Sequence, residues 1–413
     1  MESSPLAAPN LRTWSGLVRI DNVTWSWLGG ANDGTNINNA TLMSTKVTPT
    51  RTVFVYQTEK MDLAVTFLSP IEPSDPVRQS LPFTYVAFEA NSTDGKAHDV
   101  QIYSDVGADW IAQSPFACSY SWKETEDNVF CTSTDRSGAP LAESANQATD
   151  ITLYYATHKI SNMATRFGSE KECYLLFSES GPPGLSTNKT IPGHVNVFSM
   201  AYDVGSITTT SSPIVWTLGI VRNPVLSYYI DSRQSQLRYP YYASQYTKIG
   251  DIIDFVLSDF PSALNRAIAF DNKVLVPASA ISTKYADLVS LSVRQTIGST
   301  ELTISKSADG GWNISDVKAF MKDVGTSRRV NPVEVLYASF PCFLFVDPSY
   351  GGKLLAPLLE FQGSASWTQA YSVRDLGNNY PNTTAILEAH NQGVEREYLR
   401  SPLTSELLNL VIW

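Results

Sequence analysis

Residues 51–68, "RTVFVYQTEKMDLAVTFL", decide how the first half of the chain is read. In its second part Met61, Leu63, Val65 and Phe67 fall on one side, with Asp62, Ala64 and Thr66 on the other. That period of two marks a half-buried strand, because successive side chains of extended backbone point to opposite faces. The preceding "RTVFVYQ" alternates in the same way, and Thr58-Glu59-Lys60 supplies a tight connection. Farther on, "FTYVAFEA" and "HDVQIYSDV" repeat the pattern around "NSTDGK", whose Asp94-Gly95 is a strong hairpin signal. "ITLYYAT", "ECYLLFS" and "PIVWTLGIV" fit further short strands. Short strands separated by polar turns predict an antiparallel β-sandwich over residues 1–225.

The pattern changes after that. Residues 226–245 lie in a tyrosine- and arginine-rich stretch with little periodicity and read as a linker. From 246 to 413 the periodicity is helical. "TKIGDIIDFVLSDF" puts Ile249, Ile252, Ile253 and Val256 on one face, and "STKYADLVSLSVRQTIGS" does the same with Tyr285, Leu288, Val289, Val293 and Ile297. Ser282 or Thr283 can cap the second helix and Gly298 can end it. A two-stranded insertion is expected around Asp309-Gly310-Gly311. "NPVEVLYASFPCFLFV" and "YGGKLLAPLLEFQ" give two more helices, interrupted by Pro341 and Pro357. The fold class is therefore α+β and multidomain, a sandwich followed by a helical domain.

Composition narrows the function. A net charge of −10 over 413 residues argues against nucleic acid, which calls for a clustered basic surface. No apolar run approaches the roughly 20 residues of a membrane-spanning helix. Six Asn-x-Ser/Thr sequons, at Asn22, Asn39, Asn91, Asn188, Asn313 and Asn382, suit a secreted chain but are too common in a Ser/Thr-rich sequence to decide it. The N-terminus, "MESSPLAAPN", has neither the basic start nor the apolar core of a signal peptide and, taken literally, reads as cytosolic. Cys118 and Cys131 could staple a hairpin, whereas Cys342 in its apolar run reads as a buried thiol. Without a CxxC, HExxH or Cys/His cluster, neither a metal nor another cofactor is expected.

Carboxylates of the helical half are the candidates for chemistry. No GxSxG elbow is present, and only His98, His158, His194 and His390 could serve as an imidazole base. Glu334 follows Asn331-Pro332 and doubles as the third residue of a capping box with Asn331 as N-cap. Asp375 in "VRDLGNNYP" is either a site residue or an Asx-turn, and Glu395 in "HNQGVE" is either a site residue or plain surface. Two of these astride a substrate would permit acid/base hydrolysis, of a glycosidic bond among others. A third reading is a non-catalytic carbohydrate- or protein-binding module that uses Trp14, Trp25, Trp27 and the Tyr239–Tyr242 cluster.

Several blocks together resemble the fungal glutaminase A family: "MDLAVTFLSPIEPSDPVRQSLPFTYVAFEA", "DVGADW", "YADLVSLSVRQTIG", "KDVGTSRRVNPVEVLYASFPCFLF", "LLAPLLEFQ", "RDLGNNYPN" and "AHNQGVE". They run in order from residue 14 to 395. The resemblance implies a β-sandwich followed by a six-hairpin, glycosidase-like (α/α)6 toroid, secretion from the cell, and hydrolysis of L-glutamine to L-glutamate and ammonia. It implies Glu334, Asp375 and Glu395 as acid/base groups, with Arg294, Gln295, His390 and Asn391 orienting a small substrate, glutamine or a sugar. After Glu395 the chain departs from the family with "REYLRSPLTSELLNLVIW", so the expectation is an incomplete toroid, truncated with a divergent tail from 396, and little or no activity for the chain as given.

Overall fold

The computed structural model describes residues 13–29, 36–111, 118–136, 138–144, 147–185, 197–231, 234–323 and 328–384. The period-two segments pair into two antiparallel layers. The larger sheet has eight strands in the spatial order Thr41–Val47, Arg51–Gln57, Met61–Leu68, Phe83–Ser92, Ile214–Val221, Thr152–His158, Asn128–Asp135 and Cys118–Glu124. The six-stranded sheet carries Val197–Ile207, His98–Gly107, Trp14–Ile20 and Val23–Leu28 at its centre. Their inner faces meet in a core of Met61, Leu63, Val65, Phe88, Trp216, Phe198 and Tyr202. Met61, Leu63 and Val65 are fully buried, as their alternation requires.

Arg51–Gln57 is instead half-buried at nearly every position, and its neighbour Thr41–Val47 is exposed throughout. These two strands lie at one edge of the eight-stranded sheet, which is wider than the six-stranded layer it faces.

Four expectations fail for identifiable reasons. "ECYLLFS", expected as a strand, lies in helix α2, Glu170–Ser180; two shorter helices, α1 (Pro76–Gln79) and α3 (Pro182–Leu185), flank it in the chain. Ser169 caps α2 by accepting from the Glu172 N–H at 3.3 Å, and Cys173, Tyr174 and Phe177 pack on the outer face of the six-stranded sheet. The Cys118–Cys131 staple does not form. Cys118 stands opposite Asp135 and Cys131 opposite Trp122, so the pair is offset along the hairpin and both thiols are free.

Residues 226–245 are not a loose linker: Leu226–Tyr229 and Ser235–Pro240 pair with Thr300–Lys306 and Trp312–Met321 into a four-stranded sheet. The expected insertion at Asp309–Gly311 is thus the hairpin that completes this sheet, with Gly310 at φ +85° in its turn. The capping box at Asn331 is absent too, as described below.

Four longer helices follow: α4 (Ile249–Ile281), α5 (Thr283–Gly298), α6 (Val333–Val346) and α7 (Pro348–Gln362). Pro341 and Pro357 lie within α6 and α7 without ending them. Ile252, Ile253, Val256, Leu257 and Phe260 of α4 pack on the outer face of the eight-stranded sheet, against Phe83, Tyr85, Phe130 and Val215. Fully burying one such side chain stabilises by about 1.5–3 kcal/mol. A second core gathers α5, α6, α7 and the four-stranded sheet around Leu336, Phe340, Phe343, Leu354 and Phe320. No helix among the described residues is long and apolar enough to cross a membrane.

Candidate active site

The residues singled out by sequence fall into two adjoining groups and one undescribed segment. Asp375 is buried in the loop after α7, where its Oδ1 accepts the Gly377 N–H at 2.9 Å. Gly377 has φ +98°, and a Cβ there would stand 2.1 Å from the Thr384 hydroxyl, so glycine is required for the turn. The Asx-turn reading of "RDLGNN" is therefore correct, and the loop is pinned through Leu376 N–H to Val330 O at 2.8 Å and Val330 N–H to Gly377 O at 2.9 Å.

Glu334 lies in the first turn of α6, half exposed. Its carboxylate accepts from Arg329 Nη1 and, at 3.1 Å, from Arg374 Nη2. Asn331 does not cap the helix. Fully buried at φ +48°, it accepts from Met321 N–H at 2.6 Å and donates to Leu354 O at 2.8 Å, tying α7 to the four-stranded sheet. Pro332 holds the N-cap position and offers no side-chain bond.

Arg329 joins the two candidate carboxylates. Its Nη1 contacts Glu334 and stands 3.7 Å from Asp375 Oδ2, and its Nη2 reaches Asp323 at 3.4 Å. Glu334 and Asp375 are thus neighbours on one guanidinium, close enough for paired-carboxylate chemistry. Burial tends to raise the Glu334 pKa, but its hydrogen bonds and the Arg329 and Arg374 charges hold it below the usual carboxylate range. Glu334 is thus held ionised at neutral pH.

Arg294 and Gln295 line a groove of about 640 Å³ between α5 and α6, which Asp323 and Lys322 also face. Gln295 is exposed there. Arg294 is largely committed elsewhere: Nε donates to Thr48 O at 2.6 Å and Nη1 to the Thr52 hydroxyl at 3.0 Å, so it clamps α5 to the sandwich. His390, Asn391 and Glu395 lie outside the described residues.

The sequence reading overlooked Glu301. Helix α5 ends at Gly298 and the next strand begins at Thr300, which drops Glu301 into the junction between sandwich and C-terminal part. There it lines two adjoining hollows, of about 250 Å³ and 530 Å³. Glu301 is exposed to the cleft, and the protein atoms crowding round it raise its carboxyl toward about 7 against the pull of Arg222. The other charges facing the smaller hollow are engaged. Lys322 Nζ donates to Glu143 at 3.1 and 3.2 Å, Arg328 stands 3.3 Å from the same carboxylate, and Arg222 Nε donates to Asp150 at 2.7 Å. Glu301 has no signature in the sequence: its placement follows from a two-residue turn whose surroundings come from the other half of the chain.

The aromatic residues proposed as a binding face are mostly structural. Trp27 and Tyr242 are buried, and Trp14 and Trp25 pack against the sandwich core. No group of three metal-ligating side chains occurs among the described residues.

Two family models match in order along the chain: a domain of unknown function (DUF5127) over residues 50–276 and the glutaminase A six helical-hairpin domain over residues 282–397. The first ends inside α4 and the second begins at the turn between α4 and α5. Glutaminase A of Aspergillus oryzae is 27% identical over 378 residues, 90% of this chain and 53% of the relative. A probable glutaminase of Arthroderma benhamiae is 25% identical over 394 residues, 87% of this chain and 44% of that protein. The chain spans about half the length of these curated relatives. A putative kojibiose phosphorylase from human microbiome overlays 69% of this chain and 31% of its own at TM-score 0.35 and 8% identity, too slight a likeness to carry an argument. With the first model matching more than half of it and the hairpin domain following, this chain belongs to the glutaminase A family.

Proposed function

We propose that the chain forms part of a hydrolase that cleaves the side-chain amide of L-glutamine to L-glutamate and ammonia. The observation that carries this reading is the similarity to glutaminase A across 90% of the chain. The cluster on Arg329 supports it: Glu334 and Asp375 stand together beside a groove that presents Gln295, Lys322 and Asp323. Amide hydrolysis by water needs a general base to take the water proton, and Glu334, held ionised, is the group assigned to that role. His390 and Asn391 are proposed to orient the substrate and Glu395 to act as a further acid/base group, with the substrate a small molecule and the setting extracellular.

The rival reading, a glycosidase with paired carboxylates, needs one member of the pair to hold a proton at working pH. With Arg329 and Arg374 holding it ionised, Glu334 can serve only as the unprotonated member of such a pair, and the proton would have to sit on another carboxyl.

Ammonia release from L-glutamine by the purified chain tests the proposal. Because the chain spans about half of its relatives, slow turnover is expected, and Glu334→Gln should lower it at least about tenfold if Glu334 acts as the base. Release that exceeds background in wild type and is unchanged in Glu334→Gln would remove the assigned base. Release of sugar from a glycoside, with none of ammonia from glutamine, would favour the rival.

A further inference from the structure

We propose that Asn22, Asn39 and Asn91 are acceptors for N-linked glycans, gathered at the end of the sandwich away from the helical part, and that the sequon at Asn382 stays bare. The inference rests on the extracellular setting given above and adds a modification that the hydrolase reading does not call for.

At an Asn-x-Ser/Thr triplet the asparagine amide takes an oligosaccharide from a lipid pyrophosphate donor. The C1–Nδ2 bond forms, the C1–O bond to the pyrophosphate breaks, Nδ2 gives up one proton and the lipid pyrophosphate leaves. The attached glycan is bulky and hydrated, so the folded chain accommodates it only where Nδ2 opens to solvent. The sequons differ in this respect. Asn22, Asn39 and Asn91 are exposed, and no group among the described residues bonds to their Nδ2 atoms. Asn22 tops the two-residue turn between Trp14–Ile20 and Val23–Leu28 at φ +71°, a backbone that asparagine tolerates. Asn91 is held only through its Oδ1, which accepts from the Thr209 hydroxyl at 2.5 Å. Asn382 is the opposite case. Its Nδ2 donates to Leu141 O at 2.8 Å, and Thr383 beside it is 1% exposed and accepts the Tyr229 N–H at 2.7 Å. A sugar on Asn382 would push this loop off both partners. Asn313 is half-buried, with its Oδ1 taken by the Ser315 hydroxyl at 2.7 Å, and Asn188 lies outside the described residues.

Strand register puts the three acceptors at one end. Asn91 stands opposite Asp62, Asp62 opposite Gln57, and Gln57 opposite Thr41, the third residue of the Asn39 sequon. Asn22 joins them through its neighbour Asp21, which accepts from Lys60 Nζ at 2.6 Å and meets His98 Nδ1 at 2.8 Å, while His98 Nε2 meets Asp94 at 3.0 Å. The far ends of the same strands hold the helical part: Arg51, opposite Leu68, bonds to Asp271 of α4. Met61–Leu68 spans about 24 Å between these ends at about 3.4 Å per residue. Glycans on the first end therefore leave the seam clear.

The full chain, produced in yeast behind a cleavable secretion leader, tests this by peptide mass spectrometry after enzymatic deglycosylation, which leaves aspartate wherever a glycan was attached. Conversion is expected at Asn22, Asn39 and Asn91, with Asn382 unchanged. Deglycosylation of the intact protein should shift its gel mobility, and Asn22→Gln, Asn39→Gln and Asn91→Gln should each remove one step of that shift. Asparagine left unchanged at any of the three in the secreted chain, or conversion at Asn382 as complete as theirs, would overturn the proposal. The wild-type peptide map decides the matter by itself, whether or not a variant folds. Chain made without the leader that stays bare in the cytosol, beside leader-borne chain glycosylated at the three, would instead remove the extracellular setting and leave the acceptors standing.

Discussion

Asp271 and Glu301 both stand on the seam between the sandwich and the helical part, and their surroundings differ in every respect. Asp271, on α4, is 1% exposed and accepts four bonds: from the Thr48 hydroxyl at 2.7 Å, Thr50 N–H at 2.9 Å, the Thr50 hydroxyl at 2.8 Å and Arg51 Nε at 3.0 Å. Glu301 faces a cleft and accepts none from the described residues. The first arrangement fixes the domains together. The second leaves a carboxyl that faces solvent and holds neither side of the seam. A buried acid needs its lone pairs filled by protein donors, whereas an exposed one is satisfied by water and ties nothing together.

The largest expected effect comes from emptying the satisfied site. Asp271→Ala leaves Arg51 and two threonines without their acceptor, so denaturant unfolding should show a loss of about 3–5 kcal/mol. A loss below about 1 kcal/mol would mean that the seam is held by apolar packing on α4 alone. Arg294→Gln tests the same seam from α5. It removes the bonds to Thr48 and Thr52 and should cost about 1–2 kcal/mol. Stability unchanged but substrate KM raised would return Arg294 to the substrate-orienting role read from sequence.

The comparison also has a pH signature. A carboxyl raised to about 7 in the folded state binds more protons than it does unfolded, so its contribution to stability falls as pH rises from the usual carboxylate range through 7. Asp105, enclosed in the sandwich, is pushed up by burial to about 8 and contributes a slope of the same sign up to that value. Glu301→Gln should therefore flatten the fall below pH 7 and leave the part due to Asp105, as chemical denaturation across pH would show. Asp21, hydrogen-bonded by Lys60 and His98 and lowered to about 2, works the other way: its contribution is lost as pH drops from the usual range toward 2. The smallest effect is expected at the rim, where Glu334→Gln should change stability by no more than about 1 kcal/mol because the carboxylate is half exposed.

The parts of the molecule legible in sequence are those fixed by local periodicity. Met61, Leu63 and Val65 announced their strand, and Ile252, Ile253 and Val256 announced α4. Asp375 and Gly377 announced their turn. Misreadings arose where a short apolar run suits two structures: "ECYLLFS" passes for a strand until Ser169 and Glu172 are recognised as a helix start. The same motif misled at Asn331, whose side chain is drawn instead to Met321 and Leu354 by the packing of α7. Arg294 and Glu301 were beyond reach for a further reason. Their roles depend on partners such as Thr48 and Arg222, brought near only when the two halves dock.

The most direct test of this account is denaturant unfolding of Asp271→Ala and Glu301→Gln side by side. The account predicts a loss of about 3–5 kcal/mol for the buried, fully bonded Asp271 and of no more than about 1 kcal/mol for the exposed Glu301. Equal losses in the two variants would contradict it.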